Sequence, residues 1–295
     1  MNIGFTTGYT EAYWGDWFAA KQIGGSERIV VELGRALARA GHSVTTRLPY
    51  AGDELVWDGV RYVPLGAVAG TYDLVFAFDD FDVRDVGRAV LVACRSDPPR
   101  HTSFDQMIFL SPHHARLMGH PQRPWVGGGV DLGDYREPKK RIPRRVICTS
   151  SPDRCPSATA IGQHFDFVHT YKPVGGIGRE YDRSELIEVQ QTAQVQIYPL
   201  DPIRPSDFWS MSVLEAMAAG TPAILSDADS MPELWGETAW MLPRPIRLGE
   251  WNEAVEELLG NARLWTKFSD RGKKKAQDLT WDKQAERYLA YAMET

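Results

Sequence analysis

Two acidic residues lie in one hydrophobic stretch of the sequence. The stretch runs from Asp207 to Pro222 (DFWSMSVLEAMAAGTP), with Glu215 eight positions after Asp207. A helix is expected from near Ser212 to Gly220, and its first N–H groups would favour an anion such as a diphosphate. Glu215 then has two interpretations. It completes an S-x-x-E capping box with Ser212, or its carboxylate accepts hydrogen bonds from ligand hydroxyls.

A second group of residues suited to binding phosphate lies in the segment TSSPDRC. Ser150, Ser151 and Arg154 directly follow a β-rich run, and a guanidinium can form paired hydrogen bonds with phosphate oxygens. The alternative is a serine cap beside a surface arginine. No G-x-G-x-x-G joins a strand to a helix and no P-loop motif occurs, which argues against a nicotinamide cofactor and a P-loop nucleotide site.

Composition limits the class of protein. The chain has 295 residues, of which 43% are hydrophobic and 24% charged, as expected for a globular protein of two domains. A net charge of -6 argues against stable nucleic-acid binding. The basic run REPKKRIPRR has two interpretations, a solvated linker between domains or a segment that contacts phosphates.

Cysteine use and hydropathy indicate a cytoplasmic protein. Cys94, Cys148 and Cys155 lack the spacing of a disulfide framework or a zinc site, so reduced thiols and no metal are expected. No run is long enough to span a membrane, and the first residues lack the pattern of a signal peptide. No cofactor is expected apart from the substrate.

Short β-rich runs alternate with helical runs in both halves of the chain, which is typical of parallel sheets covered by helices. Strands are expected first in MNIGF, HSVTTRLPY, YDLVFAF, AVLVAC and QMIFLS. After three glycines at 127–129 they resume in RVICTS, FDFVHTY, VQIYPL and PAILSD, and only helices are expected thereafter. The sequence predicts an α/β protein of two Rossmann-like, doubly wound parallel-sheet domains that face a cleft, with ligands at the carboxyl ends of the strands.

The long segment PLDPIRPSDFWSMSVLEAMAAGTPAILSDADSMPEL resembles the nucleotide-sugar signature of glycosyltransferase family 4, a group 1 type with the GT-B fold. Five other segments occur along the chain in the same order as in that family, namely GGSERIVVELGRALARAGHSV, LSPHH, GVD, SSPDR and TWDKQAERYL. The resemblance covers nearly the whole chain. It implies an acceptor-side domain at 1–128 and a nucleotide-sugar domain at 129–295, with the terminal helix, about 280–293, crossing back to the first domain.

The resemblance assigns roles by position. Asp207 would contact the donor sugar, Glu215 the ribose hydroxyls, and Arg154 the diphosphate. The donor-binding set that follows is Ser150, Ser151, Arg154, Asp207, Trp209, Ser210, Met211, Ser212 and Glu215. On the acceptor side, Gly24 and Gly25 belong to a segment that carries the resemblance, and Asp97 and His101 are candidates to orient the acceptor, with Asp97 a further catalytic candidate beside Asp207 and Arg154. Trp14 has two interpretations, an aromatic ring that stacks on the acceptor or a packing residue.

The chain departs from the family pattern at several positions. Asp207 replaces a glutamate, and no acceptor-domain histidine occurs at the usual place, where Asp97 and His101 are found instead. Glycines common in the family are replaced at Phe208, Ser210, Asp229 and Ser230.

The function implied is metal-independent transfer of a sugar from a UDP or GDP donor to an acceptor, with the anomeric configuration retained. The acceptor could be a glycan, a small glycoside, a lipid-linked sugar or a modified nucleobase. Two alternatives use the same donor pocket. One is a GT-B epimerase that acts on a nucleotide sugar, and the other is a degenerate subunit that binds nucleotide without turnover. The oligomeric state is not indicated.

Overall fold

The computed structural model describes residues 1–7, 23–48, 53–64, 71–78, 87–94, 104–171, 179, 181–201 and 206–294. These residues form an α/β protein with two sheets. They divide into two compact units. The first contains the described residues up to Gly129 together with those from Trp281 onward, and the second contains Val130–Thr280.

The sheet of the first unit has seven strands in the order β3-β4-β2-β1-β5-β6-β7. All neighbours are parallel except β3 and β4, which form an antiparallel pair at one edge. The strands are β1 (Asn2–Thr7), β2 (Ser43–Leu48), β3 (Leu55–Trp57), β4 (Val60–Pro64), β5 (Leu74–Phe78), β6 (Arg88–Val92) and β7 (Gln106–Ile108). Every residue of β5 is buried, as expected for a strand covered on both faces.

Three helices belong to the first unit: α1 (Gly25–Arg39), α2 (Pro112–Leu117) and, from the end of the chain, α9 (Trp281–Met293). α9 packs against α1, and the exposed ion pair of Arg39 with Asp282 joins them at 2.6 Å. The Tyr288 hydroxyl donates to the Val126 carbonyl at 2.9 Å, and the Tyr288 ring meets Phe76 edge-on. These buried contacts fix α9 to the first sheet.

The sheet of the second unit is entirely parallel, in the order β12-β11-β10-β8-β9. Its strands are β8 (Arg145–Cys148), β9 (Asp166–His169), β10 (Val195–Tyr198), β11 (Ala223–Ser226) and β12 (Trp240–Leu242). The chain first moves from β8 to β9 and then crosses to the other side of β8 to form β10. Loops after β8 and β10 therefore diverge at a topological switch point, where open α/β sheets bind ligands.

The remaining helices cover the second sheet. They are α3 (Ala158–Gly162), α4 (Arg183–Thr192), α5 (Met211–Ala218), α6 (Met231–Trp235), α7 (Leu248–Gly260) and α8 (Ala262–Asp278). α5 packs against α8, and Trp235 and Trp251 are fully buried. α5 ends before Gly220, whose φ of +71° suits glycine.

The predicted fold class is confirmed, and every predicted strand is present. Three further strands were not predicted, namely β3, β4 and the short β12, so the expectation of helices alone after PAILSD was wrong. β3 and β12 have three residues each, too few to show a period-2 pattern. Among the described residues no helix is long and apolar enough to cross a membrane.

Candidate active site

Predicted donor-site residues from two loops meet at the switch point of the second sheet. The loop after β8 carries Ser150 and Arg154, and the segment after β10 carries Asp207. Arg154 Nη1 lies 3.7 Å from Asp207 Oδ2, which places a cation and an acid from different loops side by side. The two strands are paired neighbours in the sheet, so their carboxyl ends lie at the same edge.

Asp207 is a buried carboxylate, with 2% of its side chain exposed. The Tyr198 hydroxyl donates a short hydrogen bond to Oδ2, and the Ser150 hydroxyl donates to Tyr198 at 3.2 Å. Burial raises the pKa of Asp207 above its ordinary value, while Arg154 and Tyr198 act in the opposite direction. The charged form of Asp207 therefore depends on these two neighbours.

The backbone of Asp207 is held by the turn that follows β11. Asp229 Oδ2 accepts hydrogen bonds from the N–H groups of Ser206 and Asp207 at 2.9 and 3.1 Å, and Ser230 Oγ donates to the Asp207 carbonyl at 2.8 Å. Asp229 has a φ of +50°, a conformation that favours glycine and that aspartate tolerates. Asp229 and Ser230, two of the departures from the family pattern, therefore make contacts that glycines could not make.

Arg154 combines an anchored backbone with a partly exposed side chain. Its carbonyl accepts from the Asp201 N–H at 2.9 Å, while 44% of its side chain is exposed. Ser150 and Ser151 are buried beside it. The alternative of an isolated surface arginine does not fit, because Arg154 lies against a buried acid.

A cluster beneath this loop holds its backbone. His169 Nε2 lies 2.7 Å from the Ser150 carbonyl, a distance suited to N–H donation. Burial disfavours the thiolate of Cys148, but contacts with Cys155 and His169 outweigh burial and lower the pKa of Cys148 to about 6. The same thiol raises the pKa of His169, against the effect of burial.

The helix that follows Asp207 begins one residue earlier than expected. α5 starts at Met211, and the side chain of Ser210 caps it by accepting from the Val213 N–H at 3.4 Å. Glu215 is thus the fifth helical residue, whereas the capping box requires the third. The capping-box interpretation of Ser212 and Glu215 was wrong.

Glu215 instead forms a buried ion pair. With 2% of its side chain exposed, it accepts from Arg183 Nη1 at 2.6 Å and from Gln190 Nε2 at 3.2 Å. Arg183 also reaches Asp134 through Nη2 at 2.6 Å. Arg183 and Gln190 both lie on α4, so this cluster joins α4 to α5.

Trp209 lies between Asp207 and the start of α5. Its ring packs against Trp235 at a centroid distance of 5.2 Å, and 7% of the residue is exposed. Among the described residues its Nε1–H has no hydrogen-bond partner. A buried donor without a partner costs free energy, so this N–H is a candidate to donate to a ligand oxygen.

The acceptor-side residues are only partly within the described structure. Trp14, Asp97 and His101 lie outside the described residues. Gly24 caps the start of α1 and Gly25 is its first residue, and both are exposed. No group of three or more histidine, cysteine or acidic side chains in the described parts of the chain is arranged to hold a metal ion.

Sequence reasoning missed several residues that support the two acids: Tyr198, Asp229, Ser230, Arg183 and Gln190. Tyr198 could have been noticed as a polar tip at the carboxyl end of β10. Arg183 and Gln190 gave no signal, because their contacts with Glu215 span 32 and 25 positions in the sequence.

The corrected helix start predicts different effects for two serines. Ser210→Ala should lower the free energy of unfolding by about 1 kcal/mol because it removes the N-cap, whereas Ser212→Ala should change it by less than about 0.5 kcal/mol. Urea denaturation of both variants measures the difference. Equal losses, or a larger loss for Ser212→Ala, would contradict this cap assignment.

Loss of the Tyr198 hydroxyl should make stability depend more strongly on pH. Because the folded-state pKa of Asp207 is raised, stability falls as pH rises through the range between its unfolded and folded values. Tyr198→Phe raises that pKa further and should cost about 1 to 3 kcal/mol at pH 7. The loss should shrink near pH 4, where an aspartate is largely protonated even when unperturbed.

Tyr135→Phe is the matched control, because the Tyr135 hydroxyl donates to the neutral Gln190 Oε1 at 2.8 Å. Tyr135→Phe should lower the free energy of unfolding, measured by urea denaturation, by nearly the same amount at pH 7 and near pH 4. A pH-independent loss for Tyr198→Phe would show that Tyr198 does not stabilise a charged Asp207.

Comparisons with known proteins concern the fold and the region around the two acids. Residues 170–261, which include both acids, match the family model described as "Glycosyl transferases group 1". No curated protein sequence matches the chain.

Solved structures share the fold across the whole chain at low sequence identity. Sucrose-phosphate synthase from Thermosynechococcus elongatus is 15% identical with a TM-score of 0.73, covering 98% of both chains. AviGT4, a glycosyltransferase involved in avilamycin A biosynthesis, is 15% identical with a TM-score of 0.77, covering 99% of this chain and 97% of its own. HepE from Anabaena, solved in complex with UDP, is 11% identical with a TM-score of 0.68, covering 98% and 99%. The chain therefore has the fold of the GT-B glycosyltransferases, and the region around its two acids matches the group 1 glycosyltransferase model.

Proposed function

We propose that this protein is a retaining glycosyltransferase of family 4 that transfers a sugar from a nucleoside diphosphate sugar to an acceptor. The observation that carries the proposal is the position of Asp207 beside Arg154, immediately before the helix α5, at the switch point of the second sheet. An acid, a cation and a helix start lie close together there, and we propose that the acid contacts the sugar and the other two contact the phosphates. The UDP complex of HepE supports a nucleotide ligand for this fold.

The diphosphate would lie between Arg154 and the first turn of α5. The first N–H groups of a helix have no intrahelical partner and carry the positive end of the helix dipole. Arg154 adds a guanidinium on a partly exposed side chain. As the bond from the sugar to the diphosphate breaks, both would stabilise the negative charge that develops on the leaving oxygen.

Glu215 would bind the ribose hydroxyls of the donor. Arg183 pairs with its carboxylate and so keeps it ionised despite burial, and an ionised carboxylate is the stronger acceptor for hydroxyl protons. Glu215 lies one helical turn beyond the N–H groups proposed for the diphosphate.

Asp207 would contact the donor sugar. Trp209 Nε1–H would donate to a sugar or phosphate oxygen. With retention, the acceptor hydroxyl attacks the anomeric carbon on the face from which the diphosphate leaves. The new carbon–oxygen bond forms as the old one breaks, and the acceptor proton passes to a diphosphate oxygen. The protein then needs no strong base, only charge stabilisation and orientation.

We extend the proposal to the remaining components. UDP and GDP are the expected donor nucleotides, no cofactor or metal takes part, and the acceptor is a glycan, a small glycoside, a lipid-linked sugar or a modified nucleobase. Gly24, Gly25, Trp14, Asp97 and His101 would orient that acceptor. A cytoplasmic location stays a prediction from the reduced cysteines.

The direct test of this function is acceptor-dependent release of nucleoside diphosphate. Purified protein is incubated with UDP-sugars or GDP-sugars, with and without an acceptor mixture, in buffer containing EDTA. Release of nucleoside diphosphate only when acceptor is present supports transfer. Asp207→Asn should abolish most of this release and change the affinity for the nucleotide little. Conversion of the donor sugar without acceptor would indicate the epimerase, and tight donor binding without turnover would indicate the degenerate subunit.

The role of Arg154 predicts a selective loss of affinity. Arg154→Ala should weaken binding of the nucleoside diphosphate by about 10- to 100-fold, the equivalent of a charge-assisted hydrogen bond, and leave nucleoside binding nearly unchanged. Arg154→Lys should restore part of this affinity, since a lysine keeps the charge but loses the paired geometry. Calorimetric titration with UDP and uridine, or GDP and guanosine, measures both.

Arg144→Ala is the matched control for Arg154→Ala. Arg144 is also half-exposed and paired with an acid, Glu256. It lies at the amino end of β8, whereas Arg154 lies beyond the carboxyl end of the same strand. The Arg144→Ala variant should bind the nucleoside and the nucleoside diphosphate with wild-type affinity. Equal weakening of nucleoside and diphosphate in Arg154→Ala would remove Arg154 from the phosphate site.

A further inference from the structure

A cavity of about 350 Å³ lies within the second unit, away from the proposed donor site. It is formed by the segment after Val130, the carboxyl end of α5 and the middle of α8. Its volume is within the range of small-ligand pockets. The lining residues are Leu132, Tyr135, Arg136, Pro138, Lys139, Arg141, Gln191, Ala218, Ala219, Lys273 and Gln277.

The charged side chains that line the cavity are all cationic. Arg136, Lys139 and Lys273 are exposed, and none forms an ion pair with a described residue. Glu137 and Asp278 are neighbours in sequence but do not line the cavity. Three like charges around one concave surface are favourable only with a bound anion or with solvent and salt between them.

Arg141 is a partly buried cation in the lining of the cavity. Its guanidinium donates to the carbonyls of Ala193 and Ala219 at 2.7 and 2.6 Å, and to that of Gln190 at 3.2 Å. Burial lowers its pKa to about 10, so Arg141 is still charged at neutral pH. Arg141 therefore neutralises the carbonyl end of α5, which would otherwise repel an anion.

The position of Lys273 is set by the turn that ends α5. Gly220 has a φ of +71°, and a Cβ added there would lie 2.3 Å from Lys273 Cε. The lysine stem thus lies directly over the glycine, in the space that a side chain would fill. Lys273 thus lines the cavity from α8 with its stem against the turn that ends α5.

The rest of the lining carries no charge. Leu132, Pro138 and Ala218 give apolar surface, and Gln191, whose Nε2 donates to the Glu137 carbonyl at 2.8 Å, is fixed in place. A ligand that is anionic at one end and uncharged at the other would match this division.

We propose that this cavity is a second ligand site, which binds a small phosphate ester between Arg136, Lys139 and Lys273. Three cations fit a phosphate dianion better than the single charge of a carboxylate, and lysines bind phosphate as point charges. The cavity lies at the carboxyl end of α5, whereas the proposed diphosphate site lies at the amino end. The helix has eight residues, so its ends are about 12 Å apart.

The test uses glucose 6-phosphate as the probe in calorimetric titration of the full chain. Glucose and glucuronate serve as controls that have the same ring without the phosphate. Glucose 6-phosphate should bind, and glucuronate and glucose should bind much more weakly or not at all. Lys139→Gln with Lys273→Gln should weaken glucose 6-phosphate binding by about tenfold or more, since two charged contacts are lost.

The matched control is Lys140→Gln with Lys274→Gln. Lys140 and Lys274 are the exposed neighbours of Lys139 and Lys273, but they do not line the cavity. Their substitution removes the same charge from the protein. This double variant should change the affinity by less than about threefold, through screened long-range attraction only. Arg154→Ala should leave glucose 6-phosphate binding intact, which separates this cavity from the donor site.

Two results would overturn the proposal. One is equal weakening in the two double variants, which would indicate a diffuse basic surface. The other is no binding of glucose 6-phosphate. If the protein is then recruited to phosphatidylglycerol vesicles with equal dependence on all four lysines, these charges belong to a membrane surface.

Discussion

A buried carboxylate at the edge of the second sheet is the constraint around which three loops are arranged. A charge removed from water costs several kcal/mol unless neighbouring groups replace its hydration. Asp207 obtains that replacement from Tyr198 at the end of β10 and from Arg154 after β8, and its backbone is held by the turn after β11. Because these groups come from three adjacent parallel strands, the sheet topology and the charge depend on each other.

Glu215 is a second buried carboxylate whose desolvation is offset by neighbouring groups. It lies one turn into α5, and Arg183 pairs with it from the neighbouring helix α4. Arg183 links Glu215 to Asp134, so one cation supports two acids. Pairing with Arg183 therefore provides a structural reason for an acid in an apolar helix.

The fold was predictable because its signals are local. Strands such as β5 appear in the sequence as continuous apolar runs between turns, and the restart after Gly129 indicated a second sheet. The loops with Arg154 and Asp207 were found for the same reason, since each directly follows a strand. The partners of the acids were not predictable, because Arg183 reaches Glu215 from 32 positions away. The cap was misplaced because Ser210 and Ser212 carry the same hydroxyl and only backbone geometry distinguishes them.

The central claim is that Asp207 and Glu215 belong to one donor site that extends along the start of α5. An experimental structure with the nucleoside diphosphate that binds most tightly tests it directly. We expect the diphosphate at Arg154 and the first N–H groups of α5, with ribose hydroxyls within about 3 Å of Glu215. A nucleotide bound with its ribose away from Glu215, while Glu215 contacts only Arg183 and Gln190, would contradict the claim and leave that acid a purely structural ion pair.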